Sequence, residues 1–182
     1  MGHAYYYLVA SLSPLYFEGK MPMSVDAFLQ ECRRLLSEDD LAAMERLLTQ
    51  EEAGLQAHDV LLRSWADFSH NLRNELVWWR ANLLHKDPSR YLRGERPSDP
   101  SLTAHVQPAL KLDDLAEAGR LFNKTKWQFL DDLVLGHYFD IEFLFMYGLK
   151  LKMLQQYQEY ISSKGREVFQ ELQTMPLPES CI

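Results

Sequence analysis

The chain has 182 residues, 47% apolar and 25% charged, a composition that suits one globular domain with a real core. Nine Tyr, nine Phe and four Trp argue against a disordered chain, because bulky rings supply the burial that offsets chain entropy. The net charge of −7 sets a field that repels nucleic acid and anionic membrane, so neither is an expected partner.

The first element, Ala4–Ser13, reads AYYYLVASLS, has high β-propensity and is closed by Pro14. It reads as a short strand or a buried helical turn; no second strand candidate is convincing as a partner, so helix or extended packing is the expected state. Ser24 is placed to cap a helix, with Met23 before it and Phe28 at the clasping position. Ser37 caps the next, with Asp40 three residues on and Leu36 facing Leu41.

From about His58 to Leu84, the residues Leu61, Trp65, Phe68, Leu72, Leu76, Trp79 and Leu83 fall at alternating steps of four and three. That spacing is one stripe of a long amphipathic helix. His85–Lys111 breaks the pattern with Pro88, Pro97, Pro100 and Pro108, and is expected to form one long loop. Leu112–Leu135 is helical again, with Leu115, Ala118, Phe122, Thr125 and Phe129 on one face and Gly136 as a stop.

Asp140 opens the last helix, with Phe139 facing Leu144, and the helix is expected to run to about Leu172. Its first part, IEFLFMYGLKL, is apolar on nearly all sides and so marks the central buried helix. Gly148 inside it costs about 1 kcal/mol relative to Ala, which points to a neighbouring helix approaching closely. The tail Met175–Ile182, with two prolines, is expected to be loose. The expected fold is all-α: one helical domain over residues 1–182, a bundle with long helices and one long Pro-containing loop over residues 85–111.

The chemistry of common enzymes is missing. The eight glycines are scattered singly, so no phosphate-cradling loop exists. No Glu is followed three residues later by His, the spacing that places two metal ligands on one helix face. His137, Asp140 and Glu142 are the nearest ligand cluster, but a cap role already accounts for Asp140 and the helix dipole for Glu142. Adjacent carboxylates such as Asp131 and Asp132 point about 100° apart on a helix and cannot share a substrate as an acid–base pair. Cys32 and Cys181 form no disulfide framework and read as reduced thiols. No secretory signal and no apolar run of the ~20 residues that span a bilayer is visible, so a cytoplasmic protein without catalysis, cofactor, metal or membrane insertion is expected.

Several residues remain that packing does not explain. Arg73 and Arg80, seven apart, flank the apolar stripe; either they reach water or they pair with Asp131 or Asp132. Trp78 cannot share the core face of Trp79, so it covers a second helix or anchors an interface. The segment RANLLHKDPSRYLRGER carries Arg80, Lys86, Arg90, Arg93 and Arg96 against Asp87 and Glu95, with Tyr91 among them. It reads as a solvated loop, as a docking surface for an acidic protein or, against the field of the whole chain and with one aromatic interleaved, as a nucleic-acid site. The expected partner-binding residues are Trp78, Arg80, Arg90, Tyr91 and Arg93.

Three stretches, YYYLVASLSPL, LRNELVWWRANLLHKDPSRYLR and WQFLDDLVLGHYFDIEFLFMYGLKLKML, resemble an uncharacterised bacterial family encoded in gene clusters of V/A-type rotary ATPases. The resemblance implies a reduced relative of the all-helical central-stalk component that links the membrane rotor ring to the central shaft. It further implies a non-catalytic accessory or central-stalk role, with ATPase subunits as protein partners and a location peripheral to the membrane. The other readings of the residues are a free-standing interaction domain or homodimer with an unrelated partner, and an enzyme whose site is assembled from dispersed residues.

Overall fold

The computed structural model describes residues 5–49, 60–94, 100–112 and 114–161. Among them lie seven α-helices and no strand: α1 (Tyr6–Ser11), α2 (Val25–Leu35), α3 (Glu38–Thr49), α4 (Val60–Leu83), α5 (Pro100–Leu110), α6 (Leu115–Leu133) and α7 (Ile141–Ile161). The all-α expectation holds.

Local chemistry sets the boundaries. The Ser24 hydroxyl accepts from the Ala27 N–H at 3.1 Å, Ser37 from Asp40 at 3.3 Å, and the Asp140 carboxylate from Phe143 at 3.1 Å. Each cap satisfies a backbone donor that the first helical turn leaves without a partner. Within the stretch expected as strand or helix, Tyr6–Ser11 form the short helix α1, anchored by buried Leu8 and tied to the α6–α7 turn by Tyr5 N–H donating to Phe139 O. The Tyr5 hydroxyl donates to Asp40, which joins α1 to α3.

The main core gathers α2, α3, α4 and α6 around α7. Leu144, Met146 and Leu151 of α7 are buried with Phe28, Met44, Leu47, Trp65 and Leu130, each such side chain contributing about 1.5–3 kcal/mol. Trp65 and Phe68 of α4 meet Phe129 of α6, with Phe68 and Phe129 stacked 3.8 Å apart. A second cluster of Leu72, Leu102 and Val106, with Trp79 and Phe122 against it, joins α4, α5 and α6. Residues 65–68 therefore lie beside 129, and 72–79 beside 122, so α4 and α6 run antiparallel.

The expected long loop over 85–111 is corrected. Residues 100–110 are the helix α5, and Pro88–Arg90 form a 3-10 turn. Pro100 sits at the first helical position, where a missing N–H and a fixed φ cost nothing. Pro108 falls in the last turn, and the helix ends two residues later. These two prolines mark the start and the stop of a helix rather than the interior of a loop. The helix-stripe expectation also fails at its end, since Leu83 is exposed. The expected continuation of the last helix beyond 161, its tail, Cys181, Glu95 and Arg96 lie outside the described residues.

Candidate protein-interaction surfaces

The segment after α4 is built by local bonds. At the end of α4, His85 takes a left-handed φ of 54°, and Lys86 N–H donates to Ala81 O at 2.9 Å. This is a Schellman-type stop with histidine where glycine is usual. It turns the chain back along α4. Asp87 then accepts from both the N–H and the hydroxyl of Ser89, at 3.0 and 2.8 Å, which holds its carboxyl below the usual range. Finally the buried Asn74 amide grips the backbone of Arg93: Nδ2 donates to Arg93 O at 2.8 Å and Arg93 N–H donates to Oδ1 at 3.1 Å. Asn74 Nδ2 also lies 3.0 Å from His70 Nε2.

The expected binding residues land on this clamped segment. Arg80, Arg90, Tyr91 and Arg93 are exposed together with Leu83 and Leu84. Trp78 is half-buried and meets Trp79 edge to face at 5.1 Å, so the two adjacent rings touch although they leave the helix in different directions. The surface is a basic, partly apolar face fixed in place by Asn74. Asn74→Ala should lower stability by roughly 2 kcal/mol, the cost of losing a buried two-point bond, and should speed amide hydrogen exchange across 86–94 at least tenfold. Exchange unchanged in that segment would show that Asn74 does not hold it.

A second surface went unread in the sequence. Tyr6 and Tyr7 of α1 and Leu135, Tyr138 and Phe139 of the α6–α7 turn are exposed, Tyr7 at 79% and Leu135 at 75%. Tyr6 and Phe139 touch at 4.8 Å between ring centroids. Large apolar side chains grouped at the surface mark a contact site. Glu38 and Asp39, exposed beside the Ser37 and Asp40 partners of Tyr5, give it an acidic margin. The signal was present as YYY and HYF, but rings that share a short motif read equally well as core.

The two surfaces stand at opposite ends of the bundle. From the Phe68–Phe129 contact, α4 runs fifteen residues to Leu83, while α6 runs the other way to the aromatic turn. At 1.5 Å per residue Leu83 lies about 30 Å along the axis from that turn, and Arg93, clamped beside Asn74, about 20 Å from it.

The remaining chemistry is structural. Asp131, an expected partner of Arg73 or Arg80, is instead met by Lys150 of α7, while Arg73 and Arg80 are exposed. His137, Asp140 and Glu142 do converge, their ligand atoms lying within 4.8 Å of one another. The Asp140 carboxylate is already occupied by His137 Nδ1 at 2.7 Å and by the cap to Phe143, and the positive end of α7 opposes a cation there. Burial pushes the Cys32 thiol up to about 12, so it is protonated and inert as a nucleophile. Among the described residues no helix is long and apolar enough to cross a membrane.

Residues 104–175 match the family model described as protein of unknown function (DUF2764). The DUF2764 match takes in most of α5 and all of α6 and α7, and with them the aromatic turn and the central buried helix. The amino-terminal helices and the clamped basic segment lie before it. No curated protein and no solved structure matches the chain.

Proposed function

We propose that this protein is a non-catalytic connector that binds protein partners at both ends of its bundle, as an accessory or central-stalk component of a bacterial V/A-type ATPase. The observation that carries the reading is the placement of two dissimilar contact surfaces, about 20 to 30 Å apart, on one helical body. One is basic with Leu83, Leu84 and Tyr91; the other is aromatic with an acidic margin. A single-partner domain needs one such face, whereas a connector needs two. The ATPase assignment rests on the resemblance carried by the three sequence stretches, two of which contain the aromatic surface and one the basic segment.

The test is recovery of the tagged protein from gently solubilised native membranes, with mass spectrometry of what accompanies it. ATPase subunits in fixed ratio are expected. The pair Arg90→Glu with Arg93→Glu should lower that recovery at least tenfold, since a charge-matched face becomes a repulsive one. Tyr7→Ala with Tyr138→Ala should remove a different subset of ATPase proteins. Intact ATPase lacking the protein, with the protein recovered alone, would reject the assignment in favour of a free-standing interaction domain or homodimer.

A further inference from the structure

Between α5 and α6 opens a cleft of about 440 Å³, lined from α4 by Phe68, from α5 by Leu102 and His105, and from α6 by Gln128, Phe129 and Asp132 among others. We propose that this cleft binds a small alkylamine, with Asp132 as the counter-ion of the ammonium group and the Phe68–Phe129 pair as the floor for the aliphatic body.

Three observations support the chemistry. The volume lies in the range of small-ligand sites, and the floor is apolar: Leu102 is buried and the two Phe rings stack at 3.8 Å. Three polar side chains on the walls have unspent bonding capacity. Among the described residues no hydrogen bond or ion pair engages His105, Gln128 or Asp132, whereas the Thr125 hydroxyl is already given to Leu121 O at 3.1 Å. Gln128 and Asp132 are four apart on α6, so they lie on one face and reach the same ligand atom or its neighbour.

The sign of the charge selects a cation. Two carboxylates line the cleft, and Lys150 neutralises only Asp131. Lys126 stands 5.8 Å over the Trp65 ring and is not part of the wall, where His105 is the one basic side chain. Asp132 is then the uncompensated charge facing a cleft with an apolar floor.

The experiment is a titration of the isotope-labelled full chain with n-butylamine at constant ionic strength, followed by amide chemical shifts. Saturable shifts confined to 101–105 and 125–132 are expected. Asp132→Asn should weaken binding at least tenfold, whereas Asp26→Asn, an exposed acid on α2, should leave it unchanged. Succinate, of similar length and opposite charge, and neutral 1-butanol should not compete. Asp132 is exposed, so the variant keeps the fold and its spectrum serves as the check. Unsaturable shifts spread over the acidic surface, or equal binding by the Asp132→Asn variant, would overturn the proposal.

Discussion

Glu75→Ala is expected to lower the unfolding free energy by roughly 3 kcal/mol, read from urea denaturation followed by circular dichroism. Glu75 is 1% exposed in the middle of α4. Its carboxylate accepts from Trp79 Nε1 at 3.0 Å within its own helix and from the Thr103 hydroxyl at 2.7 Å on α5. Alanine strands both donors and leaves a void between the helices, and each stranded donor costs about 1–3 kcal/mol. Glu75→Gln keeps an oxygen that can accept from both groups and exchanges the second carboxylate oxygen for an amide nitrogen, so its cost should be smaller, about 1 kcal/mol. The ordering Ala worse than Gln separates loss of the acceptor from loss of the charge. An Ala variant within 1 kcal/mol of the parent would show that the carboxylate does not join α4 to α5.

The same residue shows where sequence reading stops. The stripe from Leu61 to Trp79 was legible because periodicity is a local property, and the three caps were legible because each spans three residues. Glu75 sits three residues from Leu72 and looks like an ordinary charge beside the stripe. Its role depends on Thr103, twenty-eight positions on, inside a segment whose prolines suggest a loop. Asn74 is similar, because its partner is the backbone of Arg93, nineteen positions away. The surface position of Arg80, Arg90, Tyr91 and Arg93 was legible, since local charge density is visible in sequence. The aromatic surface was invisible for the opposite reason. Tyr6, Tyr7, Tyr138 and Phe139 have core-like side chains, and only the pairing of α1 with the α6–α7 turn exposes them together. The DUF2764 match adds a boundary for the carboxy-terminal part without adding a function.

Gly148→Leu is the other substitution with a large expected effect, a loss of about 3 kcal/mol, or roughly 10 °C in Tm for a chain of this size. Gly148 lies in the buried half of α7, where the sequence alone points to a close neighbour. The structure supplies it: a Cβ at 148 would sit 3.2 Å from Phe28 Cε1 of α2, 3.3 Å from Met44 Sδ and 3.4 Å from Leu48 Cδ2 of α3. Phe28 and Met44 are fully buried, so neither has free space into which a leucine could push it. α2 and α3 would have to move off α7, which breaks contacts throughout the main core. Alanine is a milder probe. Its methyl group meets Phe28 Cε1, Met44 Sδ and Leu48 Cδ2 at 3.2 to 3.4 Å, a crowding of a few tenths of an ångström that the helix-propensity gain of about 1 kcal/mol offsets in part, so Gly148→Ala should stay within about 1 kcal/mol of the parent. Gly119 on α6 supplies the comparison, since nothing lies within 4 Å of a Cβ there. Gly119→Ala should therefore gain close to the full propensity term of about 1 kcal/mol. If thermal denaturation ranks 119 Ala above the parent and 148 Leu far below it, close approach of α2 and α3 is the reason glycine occupies 148. A Gly148→Leu protein that melts with the parent would mean that the core relaxes around α7, and that the packing of α2 and α3 on it is looser than these distances imply.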